Sequence, residues 1–157
     1  MFKTIGFIRT PFKNVDGAPV QPGGGAGITG EIELNPQYVE GLTDLEGFSH
    51  LILLYQFHLV KRYQLKVIPF LDNKSHGIFA TRAPARPNPI GISIVKLVKI
   101  EGNILTIENV DMLDMTPLID IKPFFPKYDN QTDVKTGWLE TNGEVDITKV
   151  RSDKRFE

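Results

Sequence analysis

The chain has 157 residues, 41% of them hydrophobic and 24% charged, which suffices for one closed core and argues against disorder. It has no cysteine, which excludes disulfide scaffolds, Cys-ligated zinc, iron–sulfur clusters and thiol nucleophiles. With 18 basic and 19 acidic residues the net charge is −1, so any nucleic-acid partner needs a local basic patch or a second subunit.

The first predicted element is a strand over residues 4–9. Arg9 and Pro11 fall where a secretory leader would place its apolar run. The longest apolar run, 51–55, is far short of the ~20 residues of a membrane span. A soluble, cytoplasmic protein is expected. The glycine-rich run at 21–27 invites a phosphate-loop reading, but it lacks the closing Lys-Ser/Thr and leads into a strand. A flap beside a site remains open. Residues 28–34 alternate apolar and polar, as a half-buried strand does. Asn35-Pro36 predicts a helix start, ending near Gly41. Residues 50–59 are apolar on both faces and predict a central strand. His50 and His58 share its parity but stand about 26 Å apart along a straight strand, too far for one metal. His76 adds no partner, and no metal site is expected. Phe79 and its neighbours predict a short further strand. Residues 92–100 and 104–110 flank Glu101-Gly102-Asn103, a hairpin signal. Short strands between Gly/Pro turns predict a mainly β domain, an antiparallel barrel or sandwich with one or two short helices.

Two segments carry candidate chemistry. In Thr81-Arg82-Ala83-Pro84-Ala85-Arg86-Pro87-Asn88-Pro89, three prolines exclude a helix interior or central strand and leave a stiff loop. Arg82 and Arg86 on that loop suit a carboxylate or phosphate. Equally, they could pair with Asp111, Asp114 or Asp120 and only hold the loop down. The segment 111–120 has those three aspartates around an apparent Thr116-Pro117 turn. It could bind a hard cation, accept hydrogen bonds from ribose hydroxyls or an amine, or serve as turn chemistry alone.

The segments GITGEIEL, EGLTDLEGFSHLILLYQFH, HGIFATRAPARPNPIGIS and VDMLDMTPLIDIKPFFP, in this order, resemble the TsaA-like, TrmO-type family of S-adenosylmethionine-binding β-barrel tRNA methyltransferases. The resemblance covers residues 1–140 and makes them one β-barrel domain, with 141–157 as a C-terminal extension of it. It implies a homodimer that binds S-adenosyl-L-methionine near the subunit interface and methylates N6 of threonylcarbamoyl-adenosine at position 37 of tRNA. It also implies a cofactor pocket formed by Gln21, His58, Arg82, Arg86, Asp114, Thr116, Pro117 and Leu118. Three features depart from the family pattern. Met115 replaces a glycine, so a positive φ there would be strained. Val20 replaces an arginine, and the further C-terminal domain of longer members is not matched.

Methyl transfer to adenine N6 is mostly a matter of positioning. Asn88 offers an amide oxygen to orient the N6 hydrogens. Lys61, Arg62 and Lys66 offer a local basic patch for the anticodon loop. Two other readings stay open: a non-catalytic S-adenosylmethionine sensor, and a metal-dependent hydrolase using the three aspartates.

Overall fold

The computed structural model describes residues 1–20, 22–142 and 148–156. Alternation sets the barrel wall. In β2 (Thr29–Leu34), Gly30, Ile32 and Leu34 are buried while Thr29 and Glu31 face solvent. In β3 (His50–Gln56), Leu51, Leu53 and Tyr55 turn inward, and Ile52 and Leu54 lie half-buried on the outer face. With β1 (Gly6–Arg9), β6 (Ile90–Glu101), β7 (Ile104–Glu108) and β8 (Thr116–Pro123), they close a barrel in the order β1-β2-β7-β6-β3-β8. Every pairing is antiparallel. Closure removes exposed strand edges, and register shifts at Leu54/Tyr55 and Leu97/Lys99 help bend the wall. The expected β6–β7 hairpin is present, turning on Gly102 with φ 62°.

Ile8, Ile32, Leu51, Leu53, Val95, Leu105, Ile107 and Leu118 fill the interior and are fully buried. Between β3 and β6 the chain makes a long excursion over 57–89, which includes a small hairpin of β4 (Lys66–Val67) and β5 (His76–Gly77). The excursion has its own core of Val67, Ile78, Ala83 and Ala85, completed by Phe156 from the chain's other end. The C-terminal segment is also tied to residues 17–19: Ser152 N–H donates to the Ala18 carbonyl at 2.8 Å, and Gly17 N–H to the Ser152 carbonyl at 2.9 Å. Among the described residues no helix is long and apolar enough to cross a membrane.

Four local expectations are corrected. The strand expected over 50–59 ends at Gln56, because the next residue opposite, Pro89, accepts from Phe57 N–H at 2.8 Å but has no N–H to return. Phe79 lies not in a strand but in a 3-10 turn, Ile78–Ala80, which buries Ile78 and leaves Phe79 75% exposed. The helix expected after Asn35 is a 3-10 turn, Pro36–Leu42, and the Asn35 amide donates to the Thr4 carbonyl rather than capping it. Thr116-Pro117 opens β8 rather than forming a turn; the reversal falls one residue earlier, at Met115, with φ 59°. Proline is tolerated at 117 because β8 pairs with β3 only from Leu118 onward. The only α-helix among the described residues is one short turn, α1 (Pro126–Asp129).

Candidate active site

A cavity of about 760 Å³ opens between one end of the barrel and the 57–89 excursion. The barrel supplies Tyr55, Gly91, Asp111 and Thr116, and the excursion supplies His58, Arg82 and Arg86. Trp138, Leu139, Ser152 and Phe156 complete the wall. A pocket of this size, mostly apolar with a few converging polar groups, suits a nucleotide-sized ligand.

The proline-rich loop keeps its shape largely through one side chain. Prolines leave neighbouring carbonyls without ladder partners. Arg86 Nη1 ties three carbonyls together, donating to Thr81 at 2.8 Å, Ala83 at 3.4 Å and Ile78 at 3.1 Å, the last of which also accepts from Thr81. Arg82 is exposed at the rim. Neither guanidinium makes an ion pair with Asp111, Asp114 or Asp120 among the described residues. Arg86 therefore anchors the loop through carbonyls, and Arg82 is left facing the cavity.

The floor holds a chain of hydrogen bonds. Ser93 Oγ donates to Asp111 Oδ1 at 2.7 Å, and Tyr55 OH lies 2.9 Å from Ser93 Oγ. Ser93 has one proton, already given to Asp111, so Tyr55 is the donor to Ser93. Burial pushes the Asp111 carboxyl up to about 6, with the Ser93 hydrogen bond opposing. Burial and the nearby Asp111 charge push the Tyr55 phenol well above its ordinary range. Gly91 is required beside this chain, since a Cβ there would run into the Tyr55 ring. Burial also holds the half-buried His58 below the ordinary histidine range, which keeps it neutral near pH 7.

The predicted residues are only partly brought together. His58, Arg82, Arg86 and Thr116 line the cavity, with the Thr116 hydroxyl donating to the Leu113 carbonyl at 2.7 Å. Leu118 is fully buried in the barrel core, and Pro117 pairs with Phe7; neither lines the cavity. Asp114 lies in a shallow groove with Arg9 and Lys13, where it accepts from Thr10 N–H at 3.0 Å and from Lys13 Nζ at 2.5 Å. Burial pushes its carboxyl up, but those hydrogen bonds outweigh it and hold it below the usual range. Asp111, not Asp114, supplies the cavity carboxylate of this segment. Asn88 is exposed and outside the cavity lining. Gln21 lies outside the described residues. The three aspartates diverge, Asp120 pairing with Lys122 at 2.7 Å. No cluster of three His, Asp or Glu is placed to hold a metal among the described residues. Sequence reasoning missed the Tyr55–Ser93 pair; its one signal is a hydroxyl at an inward-facing position in each of two strands.

Residues 7–130 match the family model of the tRNA-methyltransferase O N-terminal domain. The chain belongs to this family. It is 50% identical over 155 residues to a probable S-adenosyl-L-methionine-binding protein of Pyrococcus abyssi, covering 99% of this chain and 84% of that protein. It is 35% identical over 150 residues to the tRNA (adenine(37)-N6)-methyltransferase of Escherichia coli, covering 89% of this chain and 64% of that enzyme. The crystal structure of TrmO from Pseudomonas aeruginosa superposes with a TM-score of 0.74 at 37% identity, covering 88% of this chain and 62% of that one. This member of the TrmO family thus spans somewhat under two thirds of the length of those two relatives.

Proposed function

We propose that the protein is an S-adenosyl-L-methionine-dependent methyltransferase acting on N6 of adenosine 37 in tRNA, with threonylcarbamoyl-adenosine as the target nucleoside. The observation that carries this reading is the cavity itself. One rim has a guanidinium without an acidic partner among the described residues, its walls are apolar, and its floor holds a carboxylate with oriented hydroxyls. The cofactor fits this cavity through its carboxylate, which suits Arg82, and its adenine, which suits the apolar walls, leaving the floor carboxylate to the methyl acceptor. The cofactor supplies a methyl group on a positively charged sulfur.

The chain's own residues bind, orient and exclude water. Arg82 meets the cofactor carboxylate, while Arg86 holds the loop that carries Arg82. His58, neutral, and Thr116 line the pocket, and Gln21 is a further cofactor contact. Asp114, Pro117 and Leu118 act indirectly, by fixing the turn and the strand that present Asp111 and Thr116. Asn88, exposed outside the cavity lining, is assigned to orient the N6 hydrogen of the incoming nucleoside. Lys61, Arg62 and Lys66, all exposed on the excursion, give the anticodon loop a basic surface next to the cavity.

The protein works as a homodimer in the cytoplasm, with the barrel and the 141–157 segment acting as one domain. Ile52 faces Ile94 and Leu54 faces Ile92 on the outer surface of β3 and β6, with Ile92 51% and Ile94 41% exposed. Ile92 also lines the cavity, so a second copy covering this patch sits beside the cofactor. The near-neutral net charge favours a second reading, a sensor that binds the cofactor without catalysis. Incubation with cofactor and tRNA bearing threonylcarbamoyl-adenosine, followed by nucleoside mass spectrometry, separates the two. Methylated product supports the enzyme; cofactor binding by calorimetry without product leaves the sensor.

A further inference from the structure

The cavity floor contains more than a binding surface requires. Its titratable groups are Tyr55, His58, Arg82, Arg86, Asp111 and Asp153. The arginines cannot accept a proton near neutral pH, and Tyr55 is already a donor. Asp153 is held by the Arg155 guanidinium at 2.7 Å. His58 engages the Gln56 backbone and no side chain among the described residues, whereas Asp111 is held in place by a side-chain network. Asp111 forms no ion pair among the described residues, and Ser93 engages only its Oδ1 at 2.7 Å. The Tyr55–Ser93–Asp111 chain runs in one direction, every proton pointing toward the carboxylate, so it orients Asp111 without competing for an incoming proton.

We propose that Asp111 is the catalytic base of the methyl transfer, accepting the N6 proton of the target adenosine through Oδ2, with Ser93 and Tyr55 as its positioning residues. The assignment rests on the methyltransferase reading above. The N6 nitrogen attacks the methyl carbon, and the N–C bond forms as the S–C bond breaks, its electron pair remaining on sulfur. The single N6 proton of the ureido group passes to Asp111 Oδ2 and leaves by the open cavity, so the N6-methylated product is neutral. A carboxylate suits this task because its proton affinity, with Asp111 pushed up to about 6, lies just below neutral pH.

The test uses the full chain with cofactor and target tRNA under single turnover, together with carbon NMR of the Asp111 carboxyl in the cofactor-free protein. Wild-type rate is expected to rise about tenfold per pH unit on the acid side and level above about pH 6, where the carboxyl resonance titrates. Asp111→Asn is expected to lower the rate at least about 100-fold and abolish the acid limb, with cofactor Kd within about threefold of wild type. Ser93→Ala removes a donor that favours the charged form, so rate limb and NMR titration are expected to move together to higher pH.

A normal rate and unchanged limb in Asp111→Asn overturns the assignment. So does a loss of cofactor affinity that accounts for the whole rate loss, or a carboxyl titration in wild type unrelated to the rate limb. If the wild-type protein binds cofactor but transfers no methyl, the methyltransferase reading fails and this assignment with it. A defect confined to the Asp111 variants' predicted behaviour leaves that reading standing.

Discussion

The Trp138 indole lies flat on the His76 ring, centroids 4.4 Å apart and planes 20° apart, while its Nε1–H donates to the Ala80 carbonyl at 2.8 Å. His76 in turn bonds Asp72 at 2.7 Å. The excursion is thereby clasped to a chain segment beyond the barrel, and Trp138 becomes a wall of the cavity. Trp138→Ala removes the stack, the hydrogen bond and the wall. Cofactor affinity is expected to fall about tenfold by calorimetry, with a stability loss of about 1–3 kcal/mol.

The two loop arginines are expected to separate by phenotype. Arg82→Ala removes a charge-assisted contact and weakens cofactor binding by roughly 10- to 150-fold, with the melting temperature unchanged. Arg86→Ala leaves three carbonyls without their shared donor and is expected to cost about 1–3 kcal/mol of stability. Thermal melts and calorimetry on both variants decide it; equal melting temperatures would make the Arg86 anchor unimportant.

Asp111 is expected to weaken the fold as pH rises. The unfolded chain releases this proton near pH 4, whereas the folded protein holds it to about 6. Between those values the native state binds more protons, so stability falls with increasing pH. Asp111→Asn is therefore expected to be more stable than wild type at about pH 7.5, by up to about 3 kcal/mol, with the gap closing below about pH 4. Denaturant titrations at the two pH values measure it.

Met115 has φ 59° and a side chain 45% exposed, so strain at this turn is not repaid by burial. Met115→Gly is expected to stabilise the protein by about 0.5–1 kcal/mol, read as a shift in denaturant midpoint with unchanged slope.

Much of the barrel is legible locally. β2 alternates without a break, and the β6–β7 hairpin announces itself through a glycine turn. β8 escapes notice because Thr116-Pro117 has the look of a turn and its partners, β1 and β3, are supplied from far along the chain. The site divides the same way. A stiff two-arginine loop can be read from its prolines, whereas the Tyr55–Ser93–Asp111 chain depends on the β3–β6 register that sets Leu53 opposite Ser93 and Tyr55 opposite Gly91. Asp111 and Asp114 have equal claims until the fold turns one into the cavity and the other toward Lys13.

Exchanging Lys61, Arg62 and Lys66 for glutamate reverses the charge of the surface beside the cavity. Loss of tRNA binding is expected, with cofactor affinity preserved and the wild-type interaction falling steeply with salt. Unchanged tRNA affinity in the triple variant removes this surface from the binding site.

The loop around the cavity hangs on Arg86, whose guanidinium keeps its charge at any pH the protein meets. The floor centres on Asp111, whose charge changes within the physiological span. The loop anchor is thus indifferent to acidity while the reactive centre responds to it. Mild acidification should silence turnover and leave the cofactor in place, making the protein a reversible reservoir of bound methyl donor rather than one that releases it.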